Sequence, residues 1–320
     1  MDERKMQRKA IKKAYKKARR KAIQPWKFFA ILCLVLTLIL VPAGVVLGMF
    51  DNAMAAFMGG DFWDVQNEDP NAIYFAEDFN SHEERLSAGA AICYQVEAEG
   101  AALLMNNGVL PLASGSKVST LSTSSVNIVY GGTGSGNVDA SKADNLKVAL
   151  EKSGFTVNPT LWDFYTTGAG AAYSRESGAG ETAALMGSFN IGEAPWSVYT
   201  QEVKDSIATY GDAVIITLSR IGGEGSDAKG ANPADTNYLS LDQNEKDMMA
   251  AAALMKAEGK IKSIIVLINT SNALQVDFLK NNEYGVDACL WIGGVGAYGT
   301  NAVTDILAGK VNPSGSLVDT

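Results

Sequence analysis

The stretch SRIGGEGSD (Ser219–Asp227) sets one carboxylic acid, Glu224, among glycines, with Arg220 and Asp227 close by in sequence. Glycines let the backbone turn tightly and let a ligand approach it closely. An acid in a partly dry cleft, its pKa raised by burial or by a neighbouring carboxylate, can donate a proton near neutral pH. Taken alone, an acid in such a turn is more often a solvated loop residue. A second cluster, Gly131-Gly132-Thr133-Gly134-Ser135-Gly136, invites a phosphate-cradle reading that fails. Gly132-Thr133-Gly134 opens a G-x-G-x-x-G whose third glycine position is Asn137, and no Lys-Ser/Thr pair follows in P-loop spacing. There is one histidine, His82, which excludes a multi-His zinc site within the chain. Cys33, Cys93 and Cys289 are too few for a disulfide scaffold and lack metal-ligand spacing. Neither a metal nor a cofactor is expected.

The elements that must hold these residues alternate in type. Ser81-His82-Glu83-Glu84 is a capping box that opens a helical pattern running to about Met105, with His82 exposed in its first turn. Val118–Leu121 and Val126–Tyr130 read as short strands, Lys142–Ser153 as an amphipathic helix, and Phe155–Asn158 as a strand. Ala213–Leu218 (AVIITL) and Ile261–Ile268 (IKSIIVLI) are continuous apolar strands of the kind buried on both faces. Asp242–Glu258 and Ser271–Lys280 read as helices, Val286–Ile292 as a third buried strand, and Tyr298–Ala308 as the last helix. Residues 167–195, rich in Gly, Ala and Ser, read as an inserted loop. This order predicts an α/β fold, a mostly parallel sheet sandwiched by helices. In such sheets ligands bind beyond the carboxyl ends of the strands, and three expected strand ends here run into glycine clusters: 131–136, 219–227 and 293–296.

The chain begins differently. Residues 28–50 contain no charge over 23 positions, about 34 Å as a helix, enough to cross a bilayer core. Twelve Lys/Arg precede them in residues 1–27, which the positive-inside rule keeps in the cytoplasm. The expected organisation is a basic cytoplasmic segment (1–27), a transmembrane helix (28–50) held by membrane lipids, a juxtamembrane spacer (51–80) and an extracellular α/β domain (81–320). A signal peptide cleaved after Ala53-Met54-Ala55, giving a secreted protein, is the alternative. Retention is favoured because the apolar run exceeds the 7–15 residues usual for a signal. With 27 basic and 35 acidic residues in all, positions 28–320 keep 15 against 33, so nucleic acid is not an expected partner of the outer part.

At this point five segments, in order, resemble glycoside hydrolase family 3 in its β-glucosidase branch. SRIGGEGSD resembles the family's acid/base loop. EGAALLMNNGVLPL (Glu99–Leu112) resembles its opening helix and turn, and GGTGSGNV (Gly131–Val138) its first sugar-side loop. LSLDQNEKDMM (Leu239–Met249) and LAGKVNPSGSLVDT (Leu307–Thr320) resemble the next helix start and the closing Asn-Pro-Ser-Gly segment. The resemblance covers about Ser81 to the end and implies an active site between a (β/α)₈ barrel, which supplies an aspartate nucleophile, and an α/β sandwich, which supplies the acid/base.

This chain would be the sandwich, with Glu224 as acid/base and Arg220, Asp227, Gly134 and Ser135 meeting an oligosaccharide or β-glucoside substrate. The implied reaction is retaining hydrolysis of terminal β-linked sugars. No segment resembles the barrel or its Ser-Asp-Trp motif, and Asp61-Phe62-Trp63-Asp64 does not match it. The barrel is expected to follow the sandwich in permuted order or to sit on another chain, so that these 320 residues alone hydrolyse nothing. Ala228 stands where the family has a basic residue, and Val295 where a proline is common. Trp162, Trp196 and Trp291 are candidate stacking rings, with Trp291 expected in the core and Trp196 exposed. A non-catalytic carbohydrate-binding or interaction domain is the alternative function, and a nucleotide-binding α/β protein the third, disfavoured by the failed phosphate motifs.

Overall fold

The computed structural model describes residues 3–50, 69, 71, 78–132, 134–175, 191–222 and 238–318. The chain divides into two units, Met1–Ala76 and Glu77–Thr320. In the first, α1 (Glu3–Met49) is one continuous helix that includes both the basic segment and the apolar run. It is long and apolar enough to cross a membrane, as a span or a signal sequence would be, and its side chains are exposed from Arg4 onward.

The second unit is the expected α/β sandwich. Its strands are β1 (Ala102–Asn106), β2 (Lys117–Leu121), β3 (Thr156–Val157), β4 (Ala213–Arg220), β5 (Ile264–Thr270) and β6 (Ala288–Trp291). They lie in the order β1-β6-β5-β4-β2-β3. β1 is antiparallel to β6 and the other pairings are parallel. The helices are α2 (His82–Gly100), α3 (Leu146–Lys152), α4 (Pro159–Thr166), α5 (Gln201–Thr209), α6 (Gln243–Ala257), α7 (Asp277–Asn281) and α8 (Gly299–Leu307).

Every residue of β4 and β5 is buried. The two-residue period of a strand sends Val214, Ile216, Leu218, Ile264, Val266 and Ile268 to one face. There they meet Leu161 and Phe164 of α4, Ile207 of α5, and Met248 and Met249 of α6. Ala213, Ile215, Ile265 and Leu267 take the other face, against Leu146 and Leu150 of α3 and Val303, Ile306 and Leu307 of α8. A strand covered on both faces has no polar side, which is why these runs are apolar without alternation.

Several expected boundaries shift. The helix read through Met105 stops at Gly100, and Ala102–Asn106 pairs with β6 as an edge strand (Leu103 against Leu290). A short apolar run fits either period, and here the open edge of β6 decides. Residues 126–130 are not a strand: Ser122, at φ 92, ends β2, and Thr123–Ser125 turns as a 3-10 helix. Within 271–280 the helix is confined to α7, starting at Asp277. The sequence reading missed two helices, each with a side-chain cap: Asn158 receives the Leu161 N–H ahead of α4, and Thr200 the Val203 N–H ahead of α5. α3 starts at Leu146, later than expected, because Asn145 caps it.

The central strands should therefore dominate stability. Ile216→Ala is expected to cost about 2–5 kcal/mol and Ile216→Val about 1 kcal/mol, read from denaturant unfolding of the second unit. Equal costs for the two would contradict the packing described.

Candidate active site at the carboxyl ends of the strands

β4 ends on Ser219 and Arg220, both fully buried. Arg220 uses all five of its N–H groups inside the protein. Nε donates to the Tyr238 carbonyl (2.6 Å), Nη1 to the Ser219 carbonyl (2.9 Å) and Nη2 to the Ser240 carbonyl (2.7 Å). The remaining two reach the Glu245 carboxylate, Nη1 to Oε1 (2.8 Å) and Nη2 to Oε2 (2.7 Å). Burial pushes the Glu245 carboxyl up, and the guanidinium draws it back. The same carboxylate closes the capping box of α6, accepting from the Asp242 N–H (2.9 Å) while Asp242 accepts from the Glu245 N–H (2.7 Å).

The return of the chain is tied just beyond. The Tyr238 hydroxyl accepts from the Ile221 N–H (2.8 Å) and donates to the Ile221 carbonyl (2.9 Å). Gly222 fits because a Cβ there would sit 2.5 Å from the Asn272 side-chain amide. Residues 221–222 and 238–240, which flank segment 223–237, thus share one clamp at the end of β4. Glu224 and Asp227 lie outside the described residues. Arg220, expected to meet substrate, has no exposed surface among the described residues, and its five donors engage the chain itself.

The other two glycine clusters meet over the end of β5. The Asn269 side chain, fully buried, accepts through Oδ1 from the Val129 N–H (2.6 Å) and the Ser219 hydroxyl (2.7 Å). Through Nδ2 it donates to the carbonyls of Val129 (2.9 Å) and Gly293 (2.7 Å). The backbone reinforces this knot, with the Gly296 N–H on the Tyr130 carbonyl at 2.7 Å. Gly293 and Gly296 adopt positive φ, 57° and 63°, the region that favours glycine. From there the first loop folds on itself, the Gly132 N–H bonding the Gly136 carbonyl (2.9 Å). A Cβ on Gly131 would meet the Gly136 carbonyl at 2.7 Å and Val138 at 2.6 Å. Gly134–Gly136 form a 3-10 turn, and Ser135 is exposed on it.

A buried network backs this rim. Glu193 accepts from the N–H groups of Thr123 (3.3 Å) and Ala194 (2.9 Å), and its carbonyl receives the Asn244 amide of α6 (3.0 Å). Burial pushes its carboxyl up to about 8. The hydroxyls of Tyr165 and Tyr199 pair at 2.5 Å, and Tyr165 also accepts from the Ser122 N–H (2.8 Å). Of the candidate stacking rings, Trp162 and Trp291 are partly buried against the two cores. Trp196, expected to be exposed, is half-buried against Tyr199, with Lys204 over its ring. His82 is exposed, as expected.

Among the described residues, the carboxyl ends of β4 and β5 thus bring together the 131–136 turn, the 293–296 turn and the two flanks of segment 223–237. Sequence pattern alone passed over Asn269, Tyr238 and Glu245. Only Glu245 carried a legible signal, as the third residue after the Asp242 cap.

Comparison with known proteins agrees with this geometry. Residues 101–320 match the family model described as the glycosyl hydrolase family 3 C-terminal domain. The chain is 28% identical over 231 residues to a beta-glucosidase of Ruminococcus albus, covering 71% of this chain and 22% of that protein. It is 29% identical over 245 residues to beta-glucosidase A of Butyrivibrio fibrisolvens, covering 71% and 28%. It thus spans about a quarter of the length of these relatives. Among solved structures, beta-glucosidase 3B from Thermotoga neapolitana in complex with glucose superposes with a TM-score of 0.59 at 26% identity, covering 73% of this chain and 31% of that one.

Two predictions follow from the buried carboxyls. Glu245→Ala would strand the Arg220 charge and is expected to cost about 3–5 kcal/mol, measured by urea unfolding; a loss under 1 kcal/mol would contradict the clamp. Glu193 holds its proton in the folded state up to about 8, against an ordinary 4.5 unfolded. Stability should therefore fall as pH rises from 4.5 towards 8. Glu193→Gln should flatten that slope, and an unchanged slope would refute the assignment.

Proposed function

The chain belongs to glycoside hydrolase family 3, and we propose that it is the acid/base-bearing sandwich of a membrane-anchored, β-glucosidase-like enzyme. The observation that carries this reading is the clamp of Arg220, Tyr238 and Glu245. It ties residues 221–222 to 238–240, the described residues on either side of the segment that holds Glu224 in the sequence, at the carboxyl end of β4. The substrate class is a terminal β-linked glycoside. Ser135 and the backbone of Gly134 meet its hydroxyls, and Asp227 assists from the glutamate segment.

In the reaction, an aspartate on a barrel domain attacks the anomeric carbon while Glu224 protonates the departing glycosidic oxygen. The C–O bond to the leaving group breaks and a glycosyl ester forms. Glu224, now a carboxylate, takes a proton from water, whose oxygen displaces the aspartate and restores both groups. The two carboxyl groups must approach to about 5–5.5 Å for this retaining course. α1 would anchor the enzyme, its basic residues on the cytoplasmic side and the sandwich outside.

A non-catalytic carbohydrate-binding or interaction domain is the second reading, favoured by a family match that is to the C-terminal domain alone. In the enzyme joined to its barrel, Glu224→Gln is expected to slow disaccharide hydrolysis by about 10²–10⁴-fold. Aryl glycosides whose leaving groups need no proton should be slowed far less. A wild-type rate on the disaccharide would overturn the acid/base assignment.

A further inference from the structure

We propose that Asn269 is a positioning residue for glycoside hydrolysis, one amide that sets the sugar-side loop and the acid/base strand in register. The inference rests on the β-glucosidase reading and deepens it. Asn269 is wholly buried, and each of its four hydrogen-bonding positions is taken. Its four bonds go to three separate chain segments. Two bind Val129, two residues ahead of Gly131, where the loop bearing Ser135 begins. One binds the Gly293 carbonyl at the start of the third glycine turn. The fourth comes from Ser219, the neighbour of Arg220, which clamps the flanks of the Glu224 segment.

Residues 126–130 have no strand ladder; Asn127 is bonded to Arg175, and Val129 and Tyr130 are held by this amide and by the turn at 295–296. A side chain that only filled space would not need both a donor and an acceptor aimed at the backbone of one residue. Asn269 does both to Val129, as a neighbouring strand would. The loop is thereby an extension of the sheet made by one side chain. Moving that loop displaces substrate contacts, while the end of β4 stays held by the separate clamp of Arg220, Tyr238 and Glu245, so the expected signature is weaker substrate binding with the chemical step largely preserved.

Two variants test this in the full-length enzyme with its barrel, with rates referred to titrated active sites. In Asn269→Asp a carboxylate oxygen faces the carbonyls of Val129 and Gly293, and KM for a β-glucoside should rise about tenfold or more, with kcat within about threefold. Ser219→Ala removes one bond and keeps the fold, and should raise KM about two- to fivefold. If KM is unchanged in Ser219→Ala and in whatever Asn269→Asp folds, the residue is structural only and the proposal fails. Should the parent enzyme cleave no β-glucoside, the enzymatic reading fails instead. Amide hydrogen exchange then decides the positioning claim: protection of Val129 and Gly296 lost in Asn269→Asp supports it, and equal protection in parent and variant overturns it.

Discussion

A guanidinium without exposed surface has to find five acceptors inside the protein, and the way Arg220 finds them organises the rim. Its acceptors come from its own strand end, from the returning chain at Tyr238 and Ser240, and from the first turn of α6. Withdrawing two ions from water costs several kcal/mol for each, so such a pair is weak as a device for stability. Its effect here is geometric. Glu245 serves the helix cap and the arginine with one carboxylate, so α6 cannot shift along its axis without opening the end of β4.

The layered core explains why the polar groups gather where they do. Along β4 and β5 the side chains alternate between two apolar layers, interrupted by Thr217, until the last residues, where Ser219, Arg220, Asn269 and Thr270 replace them. Buried polar groups are tolerated only when bonded, and these are bonded chiefly to loops arriving over the strand ends. The sheet thus finishes in a polar edge, and that edge, rather than the core, decides where the glycine turns lie.

Much of this was legible. Continuous apolar runs located β4 and β5, and the helix read over Asp242–Glu258 matches α6 with Asp242 as its cap. Five motifs in order pointed to the family that the comparisons establish. Other features were hidden for physical reasons. The run ALLMN has no period long enough to separate helix from strand, and only pairing with β6 settles it. Residues 126–130 look like a strand because they are apolar, yet they are held from the side by an amide 140 positions away. Arg220 beside an acid-bearing loop suggested a ligand contact, and nothing local reveals that Glu245 and three carbonyls already occupy it. Glu193 left no trace, since its burial depends on Thr123, Ala194 and α6 closing around it.

The self-folded loop after Tyr130 has a fixed root and an open tip. At Gly131 any side chain would collide with a backbone carbonyl, whereas Ser135, Gly136 and Asn137 stand in solvent. Sequence drift in descendants of this protein is thereby channelled. The root is frozen by sterics, while among the described residues of the loop the exposed positions 135–137 can take new side chains without a packing clash. Lineages should diverge at those positions first while leaving Gly131 untouched.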